Sequence, residues 1–79
     1  MRLDKFLKNS RIIKRRTVAK EACDKGRVSV NGKVAKAGTE VSEGDVLEIL
    51  FGANKLKVRV EKTADSIKKE AAGDMYTPV

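Results

Sequence analysis

A chain of 79 residues, 41% hydrophobic and 37% charged, suits one small globular domain and leaves no room for a separate catalytic one. Histidine is absent and Cys23 is the lone cysteine, which excludes a zinc site, an internal disulfide and a histidine-based catalytic group. Eighteen Lys and Arg against 11 Asp and Glu give a net charge of +7, which favours a polyanionic partner. The excess is lopsided, at +9 over residues 1–36 and −2 over residues 37–79. Such a split suggests one basic face, against the plainer alternative of a merely solubilising surface.

Leu3, Phe6 and Leu7 recur at helical spacing, so residues 3–9 are predicted as a short amphipathic helix with Arg2, Lys5 and Lys8 off the apolar stripe. Ile12 and Ile13 are expected to plug the core from the following loop. Thr17 is the predicted cap of a second helix whose buried stripe is Val18, Ala19, Ala22 and Cys23. Gly26, after Lys25, marks that helix's end. The period then changes to two in RVSVNGKVAK, where Asn31-Gly32 supplies a tight hairpin turn between Val30 and Lys33. After the turn-rich AGTEVSEGD come a strand over Val46–Phe51, a turn at Gly52-Ala53-Asn54, and the alternating KLKVRVE. A loose helix is expected over residues 64–72, and the closing GDMYTPV reads as poorly anchored.

Arg11, Lys14, Arg15, Arg16 and Lys20 crowd around the predicted start of the second helix. A helix start carries partial positive charge and free N–H groups, so cations are electrostatically unwelcome there. The cluster makes sense if an anion such as phosphate completes the site. Arg15 and Arg16 are the leading candidates, extended by Arg2 and Lys5 from the first helix. Arg2 has a structural alternative as a partner of Asp4 or Glu21. Lys8, Arg11, Lys14 and Lys20 enrich the local positive potential, and Lys33 and Lys36 would bracket a backbone from the sheet side. Phe6, Phe51 and Tyr76 are the aromatic residues, and none sits among the clustered arginines. A base-stacking platform is therefore not expected, and recognition should run through phosphate and sugar.

RLDKFL at 2–7, RIIKRR at 11–16, VNGK at 30–33 and GDVLEI at 44–49, in this order and spacing, resemble the small RNA-binding domain named after ribosomal protein S-four. The resemblance covers residues 1–61 and implies an α+β fold, two N-terminal helices packed on a small bent antiparallel sheet, with residues 62–79 as a C-terminal extension. The opening MRLDKFLKNSRIIKRRTVAKE and the late MYT are most similar to the stand-alone RqcP-like branch, bacterial ribosome-associated quality-control factors related to the fifteen-kilodalton heat-shock protein. That branch implies binding to ribosomal RNA and peptidyl-tRNA on a stalled large ribosomal subunit, alongside an RqcH-type factor during alanine tailing. It implies a cytoplasmic monomer without cofactor, catalysis or membrane attachment. Two rivals stay open: a general structured-RNA or ribosome-binding module, and a helix-turn-helix DNA binder. The second helix suits the DNA reading poorly, because it offers Glu21 and Asp24 to a groove lined with phosphates.

Overall fold

The computed structural model describes residues 1–63 and 69–79. The first helix, α1, spans Leu3–Asn9 and buries Leu3, Phe6 and Leu7 completely. At seven residues it is too short to persist alone, and its stability comes from this packing. Its leftover N–H donors are all used. Leu3 donates to the Thr39 carbonyl at 2.8 Å, Asp4 to the Ala37 carbonyl at 3.2 Å, and Lys5 to its neighbour's Asp4 Oδ1 at 2.8 Å. At the other end Ser10 caps the helix, and Arg11 turns the chain with φ of 63°. A side chain in that left-handed region costs about 1 kcal/mol that glycine would not.

The second helix, α2, spans Arg16–Asp24 and packs across α1. It starts one residue before Thr17. Arg15 takes the cap position without a side-chain cap bond, so the expectation that Thr17 caps the helix is corrected. Ala19 and Cys23 are buried and Ala22 is half-buried, but Val18 is 49% exposed, against its expected place in the buried stripe. Val18 lies about 100° around the helix from Ala19, beyond the reach of α1. Ile13 is buried and Ile12 packs at the core's margin, as their loop position suggested. Gly26, with φ of 72°, ends the helix by donating to the Cys23 carbonyl at 3.0 Å.

Five strands form one antiparallel sheet: β1 (Val28–Val30), β2 (Lys33–Val34), β3 (Val46–Phe51), β4 (Asn54–Val60) and β5 (Tyr76–Pro78), in the spatial order β2-β1-β3-β4-β5. Asn31 and Gly32 both have positive φ, 51° and 86°, as the two-residue hairpin between β1 and β2 requires. Asn31 goes further. Its side chain accepts from Val46 N–H at 2.9 Å and donates to Asp45 at 3.1 Å, tying the hairpin to the start of β3. The register Val28↔Ile49, Leu47↔Val58 and Val60↔Tyr76 brings Val28, Leu47, Ile49, Val58 and Val60 into the core beneath α1 and α2.

The chain's end is not poorly anchored, contrary to expectation. A 3-10 helix over Lys69–Met75 leads into β5, and Met75 is fully buried. Glu61 N–H donates to the Met75 carbonyl at 2.8 Å, and Val79 N–H to the Lys57 carbonyl at 3.0 Å. The Glu61 carboxylate accepts the Thr77 hydroxyl at 2.6 Å and the Arg59 guanidinium at 2.9 Å, pinning β5 to β4. Residues 64–68 of the expected loose helix lie outside the described residues.

Candidate nucleic-acid interface

Asp4 organises the basic face. It is 2% exposed, in the first turn of α1, where a carboxylate also suits the helix dipole. Arg2 Nε donates to its Oδ1 at 3.2 Å and Arg16 Nε donates to its Oδ2 at 3.3 Å. One buried carboxylate thus draws together two guanidinium groups, one from the residue before α1 and one from the first residue of α2. Both arginine side chains keep about half their surface, 52% and 48% exposed, so their remaining N–H groups face solvent. The structural alternative for Arg2 holds for Asp4, and the ion pair fixes the direction of the Arg2 guanidinium. Gly38 lies against this pair, since a Cβ there would sit 3.9 Å from an Arg2 terminal nitrogen.

Beside the clamp, the two helix starts differ. Those of α1 are closed by Thr39, Ala37 and Asp4 itself. At α2 the first intrahelical bond is Ala19 N–H to the Arg15 carbonyl at 3.0 Å, and the N–H groups of Arg16, Thr17 and Val18 find no acceptor among the described residues. Arg15 and Arg16 stand exposed at this open end. An oxyanion there would receive backbone N–H bonds, helix-dipole stabilisation and guanidinium contacts at once.

The other expected residues distribute unevenly. Lys5 is half-buried on α1, and Lys20 is exposed one turn beyond Arg16 on the same flank of α2. Lys14 is exposed in the loop that enters α2. Lys8 and Arg11 are exposed at the C-terminal end of α1, where they complement its dipole. Lys33 is exposed on β2, and Lys36 lines a groove with Cys23, Asp24 and Gly26 at the far end of α2. The nine residues of α2 set Lys36 about 12 Å from the Arg15–Arg16 end, although its neighbour Ala37 accepts the Asp4 N–H at 3.2 Å. Sequence reasoning placed Phe51 away from the arginines. The fold sets it in one apolar groove with Ile12, Ile13, Val18 and Arg27.

Asp4 as the hub for both arginines was the residue that sequence reasoning missed; Arg2 two positions before it was the visible signal, and the link to Arg16 is tertiary. Burial pushes the Asp4 carboxyl up, but hydrogen bonds from Arg16 and Arg2, the Arg16 charge and the Lys5 N–H together hold it below its ordinary 3.8. A carboxyl with a lowered folded pKa stabilises the fold fully above its unfolded value and loses that contribution as pH falls through the folded one. Asp4→Asn is therefore expected to cost about 1–2 kcal/mol at neutral pH, the scale of hydrogen bonds to charged groups discounted for half-exposed partners. The difference from the parent should shrink as pH falls below about 4, where a carboxyl of ordinary 3.8 is protonated in the unfolded chain. Urea unfolding at pH 7 and pH 3 measures both; a pH-independent gap would show that the carboxylate charge is not what holds the pair.

Cys23 is buried, and burial followed by the charges of Asp4 and Asp24 pushes its thiol up to about 11. It is a small core residue and stays protonated at neutral pH. Among the described residues no three His, Cys, Asp or Glu side chains gather to hold a metal, and no helix is long and apolar enough to cross a membrane.

The S4 domain family model matches residues 1–47. An RQC P-site tRNA stabilizing factor of Bacillus subtilis (strain 168) is 56% identical over 77 residues, which cover 98% of this chain and 90% of that protein. The protein of the same name from Streptococcus pneumoniae (strain R6) is 59% identical over 76 residues, 96% of this chain and 86% of its own. Among solved structures, heat shock protein 15 of Vibrio cholerae superposes with a TM-score of 0.92 at 29% identity, over 100% of this chain and 81% of that one.

Proposed function

We infer that this chain, which belongs to the S4 domain family and within it to the RQC P-site tRNA stabilizing factors, is an RNA-binding factor of bacterial ribosome-associated quality control. It holds tRNA in the P-site of a stalled large ribosomal subunit by gripping phosphates of folded RNA. The observation that carries this reading is the Asp4 clamp beside the open start of α2, which presents two oriented guanidinium groups and free N–H donors on one face. Oriented arginines are matched to phosphate, because their N–H fork is rigid and planar. Contacts of this kind fix position and carry no base sequence, so the RNA is selected by its shape.

The finer features follow the same reading. Ribosomal RNA of the large subunit and the peptidyl-tRNA share the basic face, and an RqcH-type factor adds alanine to the nascent chain while this protein steadies the tRNA. The protein acts as a monomer in the cytoplasm and by binding alone. A helix-turn-helix reading is less well supported, because the outer face of α2 carries Glu21 and Asp24, with Glu21 paired to Lys25 at 2.8 Å.

Salt and competition test this. With about four phosphates engaged, log affinity for tRNA-bearing large subunits should fall by about 3 for each tenfold rise in salt. A folded tRNA competitor should displace the protein and duplex DNA of equal charge should not. Equal competition by the two, measured by co-sedimentation, would overturn RNA shape as the basis of selection.

A further inference from the structure

Beyond the RNA-binding face the fold leaves a second, chemically different surface. Ile12 and Ile13 from the loop, Val18 and Ala22 from α2, and Leu50 and Phe51 from the end of β3 line an open groove of about 360 Å³. Val18, Leu50 and Phe51 are 49%, 43% and 42% exposed, which makes this the main concentration of exposed large apolar side chains among the described residues. Isolated exposed hydrophobics need no explanation, but a contiguous group of them lining a concave surface does. Phe51 shares a strand face with Leu47 and Ile49, which are fully buried; it simply projects beyond the cover of the helices.

The groove's position separates it from the RNA site. On a helical wheel of α2, Arg16 and Lys20 lie on one side of the buried Ala19–Cys23 stripe, and Val18 and Ala22 lie on the other. A molecule bound through the Asp4 clamp therefore keeps the groove open. The charge at the groove is equally specific. Its charged lining residue is Arg27, an exposed cation with no ion-pair partner among the described residues; Glu21, in the adjoining hollow, is within reach of its charge but is paired with Lys25 at 2.8 Å, so the local balance stays positive. The walls are mostly aliphatic and offer, besides that guanidinium, little to hydrogen-bond the edge of a base. A second copy of the chain would bring +7 against +7.

We propose that this groove is the docking site for a partner protein's amphipathic helix, one that seats aliphatic anchors against Val18, Leu50 and Phe51 and presents a carboxylate to Arg27. Helix-in-groove recognition of this kind uses anchors at i, i+3, i+4 and i+7, and an acidic flank supplies the charge complement. The protein is then a two-sided adaptor, holding RNA on one flank of α2 and protein on the other.

The test is an NMR titration of the labelled full chain with a panel of acetylated amphipathic peptides having leucine anchors and glutamate flanks, and with the same peptides carrying lysine in place of glutamate. Acidic peptides should shift the amide signals of Val18, Ala22, Arg27, Leu50 and Phe51 and leave Arg2 unmoved. Leu50→Ser with Phe51→Ser should weaken this binding at least tenfold without changing affinity for folded tRNA; both side chains are more than two-fifths exposed, so the fold should tolerate them. Arg27→Glu should transfer the preference to the lysine peptides. The proposal is overturned if no acidic peptide moves the groove signals at 1 mM, if acidic and basic peptides act alike, if a single-stranded oligonucleotide moves them instead, or if the groove signals depend on protein concentration alone. Loss of tRNA binding in the double serine variant would likewise assign the groove to the RNA site.

Discussion

Arg2→Ala combined with Arg16→Ala is expected to lower affinity for tRNA-bearing large subunits about a hundredfold, roughly tenfold for each charge-assisted phosphate contact removed. Arg2 precedes α1 and Arg16 opens α2, yet both Nε atoms bond to the one Asp4 carboxylate, so they act as a unit and the single variants should not add simply. The double variant also leaves Asp4 buried without its cations. That should cost about 1–3 kcal/mol of stability, the penalty of an unsatisfied buried polar group. Adding Asp4→Asn to the double variant should recover much of the stability and none of the binding. Co-sedimentation for binding and urea unfolding for stability separate the two effects. Undiminished association of a folded double variant with large subunits would remove the clamp from the interface.

Ending the chain at Asp74 is the other change with a large expected effect. It deletes Met75, which is fully buried, and the whole of β5 with its pairing to Val58, Arg59 and Val60. Truncating a buried methionine alone costs about 2–5 kcal/mol. A domain of this length has a total stability of about 4–12 kcal/mol, so the shortened protein should be partly or wholly unfolded at 37 °C. Met75→Ala, the milder change, should keep the fold and shift the urea midpoint downward. An unchanged midpoint in both would mean that β5 decorates the sheet without supporting it.

How much of this was legible in the sequence depends on how local the determining contact is. The span of α1, the hairpin at Asn31-Gly32, the strand over Val46–Phe51 and the alternation that buries Val58 and Val60 follow from spacing and turn chemistry, and the fold shows them as read. The basic excess near the start of α2 was equally plain. Three features were not. Thr17 has the better local capping chemistry, yet α2 begins one residue earlier, at Arg16, whose contact with Asp4 spans 12 positions. Val18 matches the apolar stripe of its own helix, and only the narrow contact with α1 leaves it outside. The closing residues give a strand too short for a period to be recognised, and their anchor is Met75 meeting a core assembled from distant segments. Each of these is a contact between parts of the chain that no window of ten residues contains.

The way α1 is closed has a kinetic consequence. Its first-turn donors bond to Thr39 and Ala37, and Arg2 bridges to Glu40, so the segment that completes the helix lies more than thirty positions downstream. A seven-residue helix does not wait, preformed, for that segment. Closing that loop is expected to accompany helix formation, and the gathering of Arg2 and Arg16 on Asp4 should be completed with it. Partly folded molecules should then lack the oriented arginines, and an RNA that engages them would draw the folding equilibrium toward the finished form by mass action.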